Sequence, residues 1–409
     1  MPLVGITGTN GKTTTAYLLN SALTAMGRTV GLIGTVETRI GDERVRSART
    51  TPEAPDLHAL LATMVERDLD ACVMEVSSHA LSQHRVDGVV YDLALFTNLS
   101  QDHLDFHPDM DHYFAAKASL FTPERARRGL VCVDDDWGIR LAGQATIPVD
   151  TLSTRPGGLA DWTVTIDQQE LHRFVLRGRG HELHLASALP GSFNVANTAM
   201  AAAALLVLGD EAEAVARGVL TDPHVPGRME RVVVDAPGAD LLPLVVVDYA
   251  HTPDAIAAAL QALRPATNDL LVCVTGAGGD RDRDKRSAMG RAAAAADIVV
   301  VTDDNPRSED PAAIRSAVRV GATGAAGSGD RRVIEIGDRR EAINRAVAIA
   351  AGVEGDHAGA GPGAIVAIVG KGHESGQEVA GVVHPFDDRV EAERAMADVV
   401  RQLSDRSRS

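Results

Sequence analysis

The residues with the clearest chemical potential are Gly8-Thr9-Asn10-Gly11-Lys12-Thr13-Thr14. They stand between a short apolar run, Leu3 to Thr7, and a stretch of helical spacing from Thr13 to Met26. In that setting backbone N–H groups and a helix start can cradle phosphates, Lys12 can reach the outer phosphates, and Thr13 can offer a hydroxyl to Mg²⁺. The spacing departs from the strict phosphate-loop pattern, because Ile6 stands where the first glycine belongs. A glycine turn with a chance Gly-Lys-Thr is the plainer alternative. A second cluster, Glu75-Val76-Ser77-Ser78-His79 running on through Gln83 to Arg85, closes the apolar run Ala71 to Val76. Open α/β sheets place ligand-binding groups at that carboxyl end, and Glu75 is a natural Mg²⁺ ligand there. Taken alone, the serines and histidines would read as a polar loop. They form no nucleophile elbow, so serine-hydrolase chemistry is unsupported.

With the next motif the set becomes specific. Thr97-Asn98-Leu99-Ser100-Gln101-Asp102-His103 leads to Lys117 in Tyr113-Phe114-Ala115-Ala116-Lys117. Together with Gly-Thr-Asn-Gly-Lys-Thr-Thr, this resembles the Mur ligases of peptidoglycan synthesis, and the loop also resembles that of folylpolyglutamate synthetase. The resemblance implies an ATP-dependent ligase that activates a carboxylate as an acyl phosphate and joins it to an amine. It implies that His103 binds a metal and that Lys117 is carboxylated to a carbamate. Such a group would replace a cation by an anionic pair of oxygens suited to a second hard cation, so two Mg²⁺ ions are expected. An isolated lysine on an amphipathic helix would be read as solvated. The resemblance places Asn194 and Asn197 near the nucleotide base, where a helix cap is the alternative. It places Arg228 at the γ-phosphate and makes Asp248-Tyr249-Ala250-His251 a second nucleotide contact, with Asp248 accepting from ribose or pairing with a cation, and His251 beside it. Thr50, Thr51, Ser77, Gln83 and Arg85 stand where the family holds its muramoyl dipeptide acceptor.

Three further motifs follow apolar runs near the end of the chain: Gly276 to Asp282, Asp304-Asn305-Pro306-Arg307, and Gly370-Lys371-Gly372-His373-Glu374. Asp-Asn-Pro-Arg taken singly is a good turn sequence. In the family it resembles the signature of the branch that adds diaminopimelate. Arg281 and Arg307 would then meet the distal carboxylate, and Glu374 and the Gly370 carbonyl would receive an ammonium. A lysine-adding enzyme would have no distal carboxylate for Arg307 to meet. The resemblance begins at the phosphate loop, whereas full-length members carry a further N-terminal domain of about 100 residues, an ordinary domain size. That leaves two rival readings: a ligase for another carboxylate, folate included, or a nucleotide-binding protein without catalysis. Retention of Lys12, Glu75, His103 and Lys117 speaks against the latter.

These residues need a scaffold. Apolar runs at Ala71 to Val76, Leu93 to Thr97 and Leu130 to Asp134 alternate with helical stretches, which predicts an α/β fold with a parallel, P-loop-type sheet. From Trp162 to Leu189 the period changes to two, predicting a small antiparallel meander inserted before the next helix. Runs at Leu244 to Asp248, Leu270 to Thr275, Ile298 to Thr302 and Ala364 to Val369 predict a second, Rossmann-like domain. The expected division is an ATP-binding domain over 1–227 and an amino-acid-binding domain over 228–409, closing over the substrates. The Gly- and Ala-rich stretches 322–330 and 355–363 are expected to be surface loops. With 409 residues the chain is long enough for two or three cores. A net charge of −16 excludes a polyanion footprint, so no nucleic-acid partner is expected and the partners are small molecules. No apolar run is long enough to span a bilayer and no signal peptide is evident, so a cytoplasmic protein without membrane insertion is expected. Cys72, Cys132 and Cys273 each sit in an apolar run and read as reduced core thiols. The sequence leaves the oligomeric state open.

Overall fold

The structure is a computed structural model that describes residues 1–167, 170, 172–325, 332–355 and 357–408. It comprises two compact units, Met1–Val225 and Pro226–Ser409. Part of each stretch expected as a Gly- and Ala-rich loop, residues 326–330 and 356, lies outside the described residues.

The first unit is built on eleven strands: β1 (Leu3–Thr7), β2 (Val30–Ile33), β3 (Glu37–Ile40), β4 (Glu43–Arg46), β5 (Ala71–Glu75), β6 (Leu93–Phe96), β7 (Gly129–Cys132), β8 (Val149–Ser153), β9 (Trp162–Ile166), β10 (Arg173–Gly178) and β11 (His181–Ala186). They form one sheet in the order β11-β10-β9-β8-β7-β6-β1-β5-β2-β3-β4. The middle is parallel, and β1, β5, β6 and β7 are buried along their whole length, which is why they read as unbroken apolar runs. Both ends turn antiparallel, through β2-β3-β4 and β9-β10-β11.

The expected meander therefore is not a separate insertion. Leu152 and Ser153 of β8 pair in parallel with Trp162 and Thr163 of β9, so the three antiparallel strands extend the main sheet. Trp162, 1% exposed, and Phe174, Leu176, Leu183 and Leu185 turn their apolar faces into the same core as Leu18 and Leu19 of the Lys12–Ala25 helix. A Leu19→Ala change there would cost about 2–5 kcal/mol. The alanine-rich helix Ser192–Val207 packs on Lys12–Ala25, where small side chains let two backbones approach.

The second unit carries β12 (Glu230–Val232), β13 (Leu244–Asp248), β14 (Leu271–Thr275), β15 (Ile298–Val301), β16 (Arg332–Glu335) and β17 (Ile365–Val369) in the order β12-β13-β17-β14-β15-β16. Only β12 is antiparallel. A hairpin of β18 (Gly376–Val379) and β19 (Val382–Pro385) stands apart from this sheet. The three cysteines are free and buried, and burial pushes the Cys72 and Cys273 thiols up to about 12. Among the described residues, no helix is long and apolar enough to cross a membrane.

Candidate active site

In the first sheet β1 and β6 are neighbours, and the chain leaves β1 toward β2 on one side and β6 toward β7 on the other. Such a switch point opens a crevice beyond the carboxyl ends of the strands. The Gly8–Lys12 loop follows β1, the Thr97–Asp102 segment follows β6, and Glu75 ends β5. The loop is strapped to its neighbour: Thr9 N donates to Asn98 O at 2.9 Å and Asn10 N to Asn98 Oδ1 at 2.9 Å. Thr97 Oγ1 donates to Asn10 O at 2.6 Å. Gly8 (φ 145°) and Gly11 (φ 87°) are required, because a Cβ would stand 1.9 Å from Thr97 Oγ1 at the first and 2.5 Å from Asn197 Oδ1 at the second.

Gly11 caps the Lys12–Ala25 helix without any side-chain bond, which leaves the helix-start N–H groups facing the loop. Thr14, buried, fills the first turn. Lys12 Nζ folds back over the loop to donate to Gly8 O and Thr9 O, each at 2.8 Å.

Thr13 Oγ1 donates to Glu75 Oε2 at 2.9 Å. Glu75 is fully buried, and its carboxylate also accepts from Thr35 N at 2.8 Å and Thr35 Oγ1 at 3.0 Å. A buried carboxylate that accepts from neutral donors, one of them the Thr13 hydroxyl, is a hard-oxygen set that fits a divalent cation.

Lys117 is 1% exposed. Its Nζ donates to Gly8 O at 2.7 Å and lies 4.6 Å from the centre of the Tyr113 ring. Burial first, then the Lys12 charge, holds Lys117 well below the ordinary lysine range, against an opposing pull from Asp102. Desolvation pushes His103 down to about 3, with Asp102 opposing and Lys117, His79 and Lys12 adding. Its ring lies 3.6 Å from Asp102 Oδ2 and 4.9 Å, centre to centre, from His79. His103 has φ 55°, a conformation costly for a non-glycine residue and frequent at functional sites.

Asn194 and Asn197 both lie in the Ser192–Val207 helix, and Gly191, not an asparagine, is its cap. Asn194 Nδ2 donates to Pro190 O at 2.7 Å, and Asn197 Nδ2 to Asn194 Oδ1 at 3.2 Å. Thr15 Oγ1 donates to Asn197 Oδ1 at 3.4 Å, so the pair braces the back of the phosphate loop.

The expected acceptor residues also converge. Thr51 Oγ1 donates to Glu75 O at 2.9 Å and accepts from Ser77 N at 3.1 Å. Arg85 reaches Thr51 O at 3.3 Å and Gln83 Oε1 at 2.5 Å, while Thr50 accepts from Thr35 Oγ1 at 3.1 Å. The sequence reading gave no role to Tyr113, whose hydroxyl lies 3.1 Å from Thr9 Oγ1, or to His107, hydrogen-bonded to Ser78 Oγ at 3.0 Å. Tyr113 opens the quoted motif that ends at Lys117, and His107 lies between that motif and His103.

In the second unit Arg228 lies over the Tyr249 ring, 4.4 Å from its centre. Asp248 does not depend on a cation or a sugar for partners: Oδ2 accepts from Met229 N at 2.7 Å and Oδ1 from Ala250 N at 2.8 Å. Burial raises its pKa, opposed by Arg228. His251 Nδ1 lies 2.9 Å from Tyr249 O.

The ends of β17, β14 and β15 adjoin, and this gathers the three late motifs. Asn305 Nδ2 donates to Glu374 Oε2 at 2.9 Å. Arg307 donates to Gly279 O at 2.7 Å and pairs with Glu378 at 3.3 Å. Gly278 sits beneath both arginines: a Cβ on it would stand 3.0 Å from Arg307 and 3.7 Å from Arg281 Cγ. At Gly370 a Cβ would stand 2.7 Å from Asp304 Oδ2. Pro306 is buried, and Pro306 O would stand 1.9 Å from a Cβ on Gly279.

Missed by sequence reasoning were the buried Arg339, which grips Asp388 at 2.7 Å and Val369 O at 3.1 Å behind Gly370, and the β18–β19 hairpin. Arg307 N donates to Glu378 O at 3.0 Å and Ala380 N to Arg307 O at 2.7 Å, and these bonds hold Arg307 at φ 52°. Pairing of that kind has no local sequence signal.

A phosphate loop at a parallel-sheet switch point, followed by a second α/β unit, defines a nucleotide-dependent enzyme class. Residues 6–205 match the Mur ligase middle domain, and residues 227–372 match the family described as Mur ligase, glutamate ligase domain. The chain belongs to the Mur ligase family. It is 51% identical over 391 residues to the UDP-N-acetylmuramoyl-L-alanyl-D-glutamate–2,6-diaminopimelate ligase of Streptomyces avermitilis, covering 95% of this chain and 74% of that protein. The ligase of the same name from Corynebacterium glutamicum is 50% identical over 406 residues, covering 97% and 75%. A solved structure, also bearing that name, superposes with a TM-score of 0.63 at 33% identity over 98% of this chain and 79% of that one.

Proposed function

We propose that this chain joins 2,6-diaminopimelate to UDP-N-acetylmuramoyl-L-alanyl-D-glutamate with hydrolysis of ATP to ADP and phosphate, in peptidoglycan synthesis. The observation that carries the reading is the assembly of Asn305, Arg307 and Glu374 at adjacent strand ends in a chain 51% identical to a ligase of that name.

The acceptor carboxylate attacks the γ-phosphorus of ATP, giving an acyl phosphate and ADP. The amine of diaminopimelate then attacks the acyl carbon, phosphate leaves, and the amine gives up a proton. In this reading residues 1–227 bind ATP and 228–409 bind the amino acid. Lys12 exchanges its carbonyl partners for phosphate oxygens, and the loop N–H groups and helix start hold the phosphate chain. Mg²⁺, when bound, neutralises charge that develops on the phosphoryl oxygens. Thr13 and Glu75 would hold one ion, and His103 with carboxylated Lys117 a second.

Among the described residues no three His, Cys, Asp or Glu side chains converge on a metal site, so the first ion would draw also on the Thr13 hydroxyl, the second on the carbamate, and both on phosphate oxygens. Burial and Lys12 favour the neutral Lys117 amine, which is the form that adds CO₂. His103, held neutral, keeps a lone pair for a metal. These substrates put the reaction in the cytoplasm.

The test is phosphate release from MgATP and the nucleotide-linked dipeptide with diaminopimelate, lysine or no amino acid, followed by product mass spectrometry. A tripeptide formed only with diaminopimelate is expected. Equal use of lysine, or ATP turnover with neither, would refute the assignment.

A further inference from the structure

Lys371 stands between two residues of the strand-end cluster, and its side chain is fully buried. Its Nζ donates to Asn305 Oδ1 at 3.0 Å and to Glu374 Oε2 at 3.1 Å, with Asp304 Oδ1 at 3.8 Å. Burying a lysine side chain is costly and persists only where its charge is matched.

The effect falls on its neighbours. Asn305 Oδ1 accepts from Lys371 and also from Glu378 N at 3.0 Å, so the amide is fixed with Nδ2 toward Glu374. Glu374 Oε2 thus takes two donors, while Oε1 takes no hydrogen bond from the described residues and the side chain is 33% exposed. Without the Lys371 charge, Asp304 and Glu374 would be like charges flanking Asn305, and Glu374 would keep its bond from the Asn305 amide but lose the charged partner that opposes its rotation away.

We propose that Lys371 is a positioning residue for the amino-acid substrate: it clamps Glu374 Oε2 and the Asn305 amide so that Glu374 Oε1 faces the ammonium of an incoming diamino acid. The inference rests on reading this cluster as the amino-acid site.

The experiment is steady-state phosphate release by the full chain and by K371M, varying diaminopimelate and ATP separately. KM for diaminopimelate should rise about tenfold or more, as for loss of one partner of a buried charged pair, with KM for ATP and kcat within about twofold. An unchanged KM for diaminopimelate, or an equal rise in both KM values with a lowered Tm, overturns the role. Because Lys371 acts through Glu374, K371M/E374Q should show no higher KM for diaminopimelate than E374Q alone; additive rises overturn it. If K371M does not fold, K371Q/E374Q, which removes both charges, carries the same comparison with E374Q. A parent enzyme that ligates no diaminopimelate overturns the functional reading and this role together, whereas parent activity with an unaffected K371M overturns the role alone.

Discussion

The two groups of polar residues hold their cations differently. Around the phosphate loop, Lys12 donates to the main-chain carbonyls of Gly8 and Thr9. In the strand-end cluster, the buried Lys371 is paired with Glu374. A bond to a neutral carbonyl is given up at a net cost of about 0.5–1.5 kcal/mol, while charge-assisted bonds are roughly twice as strong. In the proposed reading, the first site exchanges partners when an anion arrives, and the second keeps its geometry. Chemistry belongs to the first and selection to the second.

Substitutions can break this contrast. Lys12→Ala should abolish ATP turnover, with a loss of at least about a thousandfold in kcat. Full turnover in the variant would end the assignment of the loop. Lys117→Met should lower ligation about a hundredfold or more while nucleotide binding, read by calorimetry, changes little. The parent in ¹³C-bicarbonate should give a carbamate carbon resonance that the variant lacks; a signal present in both would refute carboxylation at this lysine. Arg307→Ala should raise KM for diaminopimelate about tenfold with ATP binding undisturbed. Equal use of diaminopimelate by variant and parent would remove Arg307 from selection.

The smallest effect concerns stability. Burial, then His79 and Lys117, pushes His107 down to about 4 from its ordinary 6.5. As pH falls below 6.5 the unfolded chain takes up a proton that the folded chain refuses until about 4. The unfolded state thus binds more protons in that window, so this contribution is complete above pH 6.5 and is lost as pH falls toward 4. His107→Gln should flatten part of the decline of Tm between these values, and an unaltered slope would show that His107 does not contribute.

The central parallel strands β1, β5, β6 and β7 were legible because burial on both faces demands unbroken apolar residues, and the expected strand Leu244 to Asp248 appears with those limits. The short strands β2, β3, β4 and β16 were not. Of these, β3, β4 and β16 are edge or near-edge strands of four residues with few buried positions, too brief for a period to show. The period-two pattern from Trp162 was read correctly as antiparallel strands, but alternation reports only that one face is covered. It does not say by what, and here the cover is the core of the main sheet.

By itself, the sequence determined which chemistry each motif can perform, because a lysine beside glycines or a carboxylate at a strand end has a chemical character independent of its surroundings. It also determined where many, though not all, of the parallel strands run, because the hydrophobic pattern is local. Only the tertiary structure decided which charges meet. Glu374 and Asn305 are 69 residues apart and Lys117 and Gly8 are 109 apart, and strand order alone brings them together. Lys371 looks like filler in a glycine-rich segment until burial removes water and leaves Asn305 and Glu374 to match its charge. Pairing of this kind depends on distance and desolvation, neither of which is a local property of the chain.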